Sequence, residues 1–275
     1  MSKAATILGA IIGLMVLLLS MVDYDTGRII GAFFNAQALG VVVGGTLAAV
    51  LVNYPFSQVM CVFWGLWRVL THEPPKADAV VEEAVELAHR VKRGGLLALE
   101  RAVDEISDPF FRFAIGEALI HKDEQQLRRV LESRLNSDML RQLVCQEVFN
   151  TMAAYAPAFG MMGTVMGLII MMTRQGGEQA VAAFGAEQTQ NMLAGLLTGM
   201  GLALVTTFYG VLLANLVFMP VAGKLKVLAD AEAFKNRLVI EAVVALWHQE
   251  GPLMVKDRLL AHLDAQMAEK LEALR

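Results

Sequence analysis

Four uncharged runs punctuate the chain, at residues 4–22, 34–52, 152–172 and within 192–219. Each is close to or beyond the roughly 20 apolar residues that cross about 30 Å of hydrocarbon. The second is Gly-rich (VVVGGT). The fourth is longer than one crossing needs, so its first part, NMLAGLLTGMG, is shared with the preceding loop. Residues 53–150 and 221–275 follow another rule, with apolar residues at heptad-like spacing and charges between them, as at Val81, Ala84, Ala88 and Val91. That spacing predicts amphipathic helices, and no alternating strand pattern competes with it. After the second run, SQVMCVFWGLWRVL brings Val59, Val62, Phe63, Leu66, Trp67 and Leu70 near one face, while Trp64 and Trp67 suit the headgroup level. The expectation there is a helix lying in the interface, ended by the consecutive prolines of THEPPKAD.

The pattern as a whole predicts an all-α polytopic membrane protein with four transmembrane helices and a helical cytoplasmic domain. Its parts are transmembrane helices one and two in 1–55, the interfacial helix and cytoplasmic domain in 56–150, helices three and four in 151–220, and a cytoplasmic helical tail in 221–275. Composition agrees: 56% of residues are hydrophobic and 18% charged, with a mean hydropathy of +0.52, against roughly 25% charged in soluble domains. Lys3, Arg68, Lys224 and Lys226 flank the ends assigned to the cytoplasm, against Arg28 and Arg174 on the other side, so both termini are expected there. A net charge of −4 gives no reason to expect nucleic acid. Cys61 and Cys145 lie in unrelated segments and read as free thiols. The first run ends in DYDTGR, without a small-residue cleavage site, so it is expected to stay as a span.

No Asp, Glu, Lys, Arg or His interrupts the four runs. Ion-carrying proteins usually keep an ionisable group inside the membrane. Either this chain does not transport, or a partner helix supplies the carboxylate. What the runs do carry is small residues in stripes: Ala156, Gly160, Gly163 and Gly167 in the third, Ala203, Gly210 and Ala214 in the fourth. Such stripes let helix backbones approach closely. They serve either as seams between neighbouring helices or as the lining around a partner helix, with Thr164, Thr206 and Thr207 offering hydroxyl oxygens. The competing fate of those hydroxyls is a bond back to their own helix. Pro157 reads as the first turn of the third span and Pro220 as the end of the fourth, or each as a backbone adjustment beside a moving contact. The five histidines are scattered through the soluble parts, and no nucleotide fingerprint or nucleophile elbow is present, so no enzymatic chemistry, cofactor or metal site is expected.

APAFGMMGTVMGL (156–168), LVTTFYGVLLANLVFMP (204–220) and KRGGLLALE (92–100) together resemble the A subunit of the bacterial flagellar stator, the MotA/PomA family within the MotA/TolQ/ExbB channel superfamily. The resemblance covers essentially the whole chain. It implies an inner-membrane homopentamer surrounding two copies of a B-type stator subunit, whose membrane helix carries the missing aspartate. Ion flow past that aspartate would turn the ring and push the flagellar rotor. By motif the ion pathway falls on Thr164, Thr206 and Thr207, the coupling prolines on Pro157 and Pro220, and the rotor interface on Lys92, Arg93 and Glu100. A threonine in the third span with the pair in the fourth resembles the sodium-driven branch, with proton flow as the alternative. The chain departs from the family in carrying Ala154 where an acidic residue is usual, and in a longer segment between the last two spans. A TolQ/ExbB-like motor serving another machine is therefore the second reading, and a membrane scaffold without ion flux the third.

Overall fold

The computed structural model describes residues 2–22, 33–75, 77–95, 97–175 and 186–263, and every element among them is helical. The charged loop with Asp23, Asp25 and Arg28 lies outside the described residues, as do 176–185 and the tail from 264. Three helices are long and apolar enough to cross a membrane, Ala36–Asn53, Glu124–Thr173 and Gly199–Trp247, and a shorter apolar stretch covers Ile11–Ser20. The chain is thus an all-α membrane protein. It divides into two compact units, residues 1–72 with 144–226 and residues 73–143 with 227–275.

The apolar unit contains α1 (Ser2–Ser20), α2 (Ala36–Asn53), α3 (Phe56–Val59), α4 (Cys61–Thr71), part of α8 (Glu124–Gln175), α9 (Ala186–Leu212) and the start of α10 (Met219–Trp247). Helix α2 begins at Asn35, whose side chain accepts from the backbone amides of Gln37 (3.0 Å) and Ala38 (3.1 Å), an N-cap that occupies two otherwise unpaired donors. It ends before Pro55, which has no amide to extend it. Its buried stripe is Ala38, Val42, Thr46 and Val50, one residue per turn. The hydroxyl of Thr46 is disposed of internally, on the carbonyl of Val42 at 2.6 Å. Gly45 is a contact position: a Cβ there would meet the Phe159 ring at 2.3 Å.

Two prolines differ from their expected places. Pro157 is not a first turn but lies inside the 52-residue helix α8. Hydropathy changes near residue 152, yet the backbone began winding at Glu124, so the apolar boundary and the helix boundary are separate things. Pro220 does not stop a helix either. It follows a π-helical segment, Leu213–Phe218, and α10 continues to Trp247. A proline deprives the carbonyl four residues back of its donor and crowds it. The wider π turn, in which Met219 N–H reaches the carbonyl of Ala214, re-pairs the backbone just before that point.

Helix α4 also departs from the single apolar face expected. Val69, with Val59 of α3, is buried with Val148, Phe149 and Leu225, whereas Phe63, Trp64 and Trp67 are exposed. Both faces are apolar, one packed and one presented outward as aromatic rings.

The second unit is an ordinary globular core. Helix α5 (Ala77–Gly94) buries Ala77, Val80, Val81, Ala84, Leu87, Ala88 and Val91, the spacing of one helical face. Around it lie α6 (Leu97–Ala102), α7 (Pro109–Ile120), α11 (Pro252–Leu260) and the parts of α8 and α10 that carry Leu127, Leu131, Val243 and Leu246. Asp108 starts α7: one carboxylate oxygen accepts from the amides of Phe110 (2.9 Å) and Phe111 (3.1 Å), and the other pairs with Lys235. Glu241 bridges Arg128 at 2.5 Å and Arg258 at 3.2 Å, and Arg258 also meets Glu250 at 2.9 Å. The Arg128 hydrogen bond holds the Glu241 carboxyl below its ordinary value, against the desolvation that raises it.

Asp108→Ala removes a cap and leaves Lys235 partly buried without its partner, so it should cost about 1–3 kcal/mol in chemical unfolding of detergent-purified protein followed by helical circular dichroism. For Glu241, whose folded pKa is depressed, the stabilising contribution is fully present above the unfolded carboxylate value and disappears as pH falls through the folded one. Wild type should therefore melt above Glu241→Gln at neutral pH, and the gap should close on acidification into that window.

Candidate functional site

The small residues of α8 and α9 are spent on each other. A Cβ built on Gly163 would stand 2.6 Å from Thr206 Cβ, one on Gly167 3.0 Å from Ala203, and one on Gly199 2.8 Å from Met171. A Cβ on Gly160 would meet the Thr206 carbonyl oxygen at 3.0 Å, Thr207 Cα at 3.2 Å and Gly210 Cα at 3.3 Å. One on Gly210 would be the tightest against backbone, 2.6 Å from the Ala156 carbonyl oxygen. With Ala156 at 0%, Ala214 at 3% and Ala203 at 6% exposure, the whole stripe is covered by its own chain. Of the two uses open to these residues, the structure brings Ala156, Gly160, Gly163, Gly167, Ala203, Gly210 and Ala214 into a seam within one chain. Backbones this close gain dispersion contacts along their length, which is the main adhesive where both solvent and side chains are apolar.

The threonines sit on that seam. Thr206 is 1% exposed, and its hydroxyl donates to the Ala203 carbonyl at 2.8 Å. Thr164 is half-buried and donates to Met161 at 2.6 Å. Thr207, also half-buried, is the exception: its hydroxyl reaches across the seam, 3.5 Å from the Gly160 carbonyl. Successive residues on a helix point about 100° apart, so Thr206 and Thr207 look to different sides. Thr206, with Gly163, Gln37, Val41, Met166 and Leu202, lines a mostly apolar cavity of about 370 Å³. Thr207 meets Gly160 across the seam, and Thr164 lies one turn along α8 from Gly160. In each case the proton is directed at a carbonyl, which leaves the oxygen's lone pairs for an electrophile. Among the described residues no group of three His, Cys, Asp or Glu could hold a metal.

Sequence reasoning missed Tyr209. Its hydroxyl donates to the Phe33 carbonyl and accepts from the Asn35 amide at 3.3 Å, tying α9 to the residues that start α2. It missed Gly45 too, although the adjacent glycines of VVVGGT were a signal of close approach.

In the second unit, α5 ends at Gly94 and Gly95 takes a φ of +67°, the left-handed conformation that suits glycine at a helix C-terminus. Its amide caps Val91 at 2.7 Å. Lys92 and Arg93 occupy the last turn of α5, where a cation complements the helix dipole. Glu100 is in the first turn of α6. All three are exposed, and none forms an ion pair among the described residues. Arg90, one turn away, is fastened to Glu86 at 2.8 Å and Glu105 at 2.6 Å. Ala154 is exposed on α8, one turn before Ala158.

Residues 102–236 match the MotA/TolQ/ExbB proton channel family. Motility protein A of Treponema pallidum is 32% identical over 239 residues, covering 87% of this chain and 86% of that protein. Two solved structures share the fold. One is C. jejuni MotAB, with a TM-score of 0.79 at 20% identity over 95% of this chain and 96% of that one. The other is the flagellar MotAB stator complex from Bacillus subtilis, with a TM-score of 0.77 at 23% identity over 97% of each.

The seam makes an ordered set of substitutions. Gly210→Ala sets a methyl against a carbonyl and two Cα atoms, none of which can rotate aside, and should cost about 1–3 kcal/mol. Gly201→Ala, with nothing within 4 Å of the added carbon, should be neutral or slightly stabilising. Thermal melts of the two purified variants in detergent check the order.

Proposed function

Since the chain belongs to the MotA/TolQ/ExbB proton channel family, we propose that it is the A subunit of an ion-driven stator that turns the flagellar rotor. It is a multi-pass inner-membrane protein and not an enzyme. The observation that carries the proposal is a complementary pair: a membrane seam fringed by hydroxyls, and no ionisable residue in 152–172 or 192–219. A hard cation in hydrocarbon needs charge neutralisation and several oxygens. This chain offers the oxygens of Thr164, Thr206 and Thr207. The charge comes from a carboxylate on the single membrane helix of a B-type partner.

Five copies surround two of that partner, with both termini, residues 56–150 and the tail 221–275 in the cytoplasm. The bilayer-level aromatics of α4 support this arrangement, because Trp64 and Trp67 are outward and suited to the headgroup region. The seam residues Gly160 to Ala214 are already covered, so the partner helix meets the fringe of the seam rather than its glycines. Sodium is the coupling ion. Hydroxyls whose protons are turned to backbone carbonyls present lone pairs, Thr206 toward one side of the seam and Thr207 toward another, and such oxygens suit a dehydrated alkali cation. Pro157 and Pro220 supply breaks in the backbone ladder beside this contact. Lys92, Arg93 and Glu100 push the rotor, and their exposure and the lack of an ion pair among the described residues support that role.

The test is swimming or tethered-cell rotation in a strain lacking its own stator, with this chain and a B-type partner gene supplied together. Rotation should rise with sodium at fixed pH, and Thr207→Val should raise the sodium needed at least several-fold without reducing membrane content. Rotation unchanged by removing sodium would reassign the ion to the proton; no rotation, with the pair supporting an envelope function instead, would favour the TolQ/ExbB-like reading. Reversing Lys92 or Glu100 should weaken rotation while leaving assembly intact, since an exposed charge is worth about 0–1 kcal/mol to stability. Charge reversal on the rotor should restore it.

A further inference from the structure

Cys61 and Cys145, 84 positions apart in the chain, meet in the fold. The Cys145 thiol donates to the carbonyl oxygen of Cys61 at 3.1 Å. Both are half-buried, packed against the apolar cluster of Val59, Val148, Phe149 and Leu225. Gly65 is part of the contact: a Cβ there would stand 3.0 Å from Cys145 Sγ and 3.0 Å from Phe149, so a side chain at that position would have to push the sulfur or the ring aside. Nothing in the ion-path reading uses either sulfur, and two thiols are a redundant way to fill an apolar gap.

We propose that Cys61 and Cys145 are a dithiol modification site that a hydroperoxide converts to an intramolecular disulfide, fastening α4 to α8. In the first step, with hydrogen peroxide as the hydroperoxide, the Cys61 sulfur attacks one oxygen; the O–O bond breaks, Cys61 becomes a sulfenic acid, and the other oxygen leaves as water carrying the thiol proton. In the second, the Cys145 sulfur attacks the Cys61 sulfur; the S–OH bond breaks, the S–S bond forms, and the hydroxyl departs with the Cys145 proton as a second water. Two thiols lose two electrons and the peroxide gains them. The order follows from the surroundings. The Cys145 hydrogen bond draws the Cys61 thiol below its ordinary value despite burial, and thiolate character governs the rate of attack. A reductant of the thiol class reverses the cross-link by exchange.

The experiment uses the full chain in membranes treated with hydrogen peroxide, then alkylated, digested and analysed by mass spectrometry. Wild type should pass from two alkylatable thiols to none, with a peptide pair joined through Cys61 and Cys145, and should regain both thiols with dithiothreitol. In Cys145→Ser the oxidation should halt at a sulfenic acid on Cys61 that dimedone captures; in Cys61→Ser no such adduct should form on Cys145 at the same dose. Two thiols still alkylatable in peroxide-treated wild type, cross-links only between chains, or direct passage to sulfinic acid would each overturn the proposal. Gly65→Ala gives a further check that leaves both thiols in place: it should slow cross-linking several-fold, and an unchanged rate would remove the contact on which the inference stands.

Discussion

The fold of the apolar unit depends on two backbones touching. Between α8 and α9, glycines at 160, 163, 167, 199 and 210 bring main-chain and Cβ atoms to the distances normally held by side chains. In lipid there is no hydrophobic gain from hiding leucine behind leucine, so close contact and paired polar groups must provide the cohesion. The threonines gain their meaning from this. A hydroxyl is tolerable at that depth only with its proton on a carbonyl, and the seam supplies carbonyls to all three. Helix α2 completes the arrangement with the same economy, through Gly45 under the Phe159 ring and the Tyr209 bond at its start.

Much of this was written in the order of residues. Hydropathy located the apolar runs because the energetic demand of a bilayer is local and cumulative. The face of α5 was legible from Val81, Ala84, Ala88 and Val91, all buried, because a soluble core imposes a helical period. What hydropathy does not report is where the backbone starts and stops. Helix α8 winds from Glu124 through a polar stretch and an apolar one without interruption, and the prolines at 157 and 220 were therefore read as ends. The π segment before Pro220 is a hydrogen-bonding solution without a compositional signature.

The candidate site was legible as a list and less so as a geometry. Small residues at helical spacing identified the contact stripes, but periodicity alone does not say whether a stripe meets its own chain or another. Only the pairing of Gly160 with Gly210, and Gly163 with Thr206, decides it. The two cysteines were unreadable for the same reason, since a glycine four residues after one of them is part of the contact in which they meet. In the second unit the spacing of charges was informative, yet it could not separate Arg90, held by two carboxylates, from Lys92 and Arg93 beside it, which are exposed at the end of α5.

The absence of ionisable side chains from 152–172 and 192–219 bears on biogenesis. A carboxylate or ammonium near the middle of a nascent helix raises the cost of leaving the translocon by about 2.5–3.5 kcal/mol. This polypeptide meets no such barrier at those segments; the hydroxyls of Thr164 and Thr206 are satisfied as soon as their own helices have formed a turn, and that of Thr207 when the two helices meet. It can enter the bilayer and close its own seam before any other subunit arrives. The order of manufacture then has a direction: a chain whose last two apolar runs carry no charge is able to wait in the bilayer for whatever it assembles with.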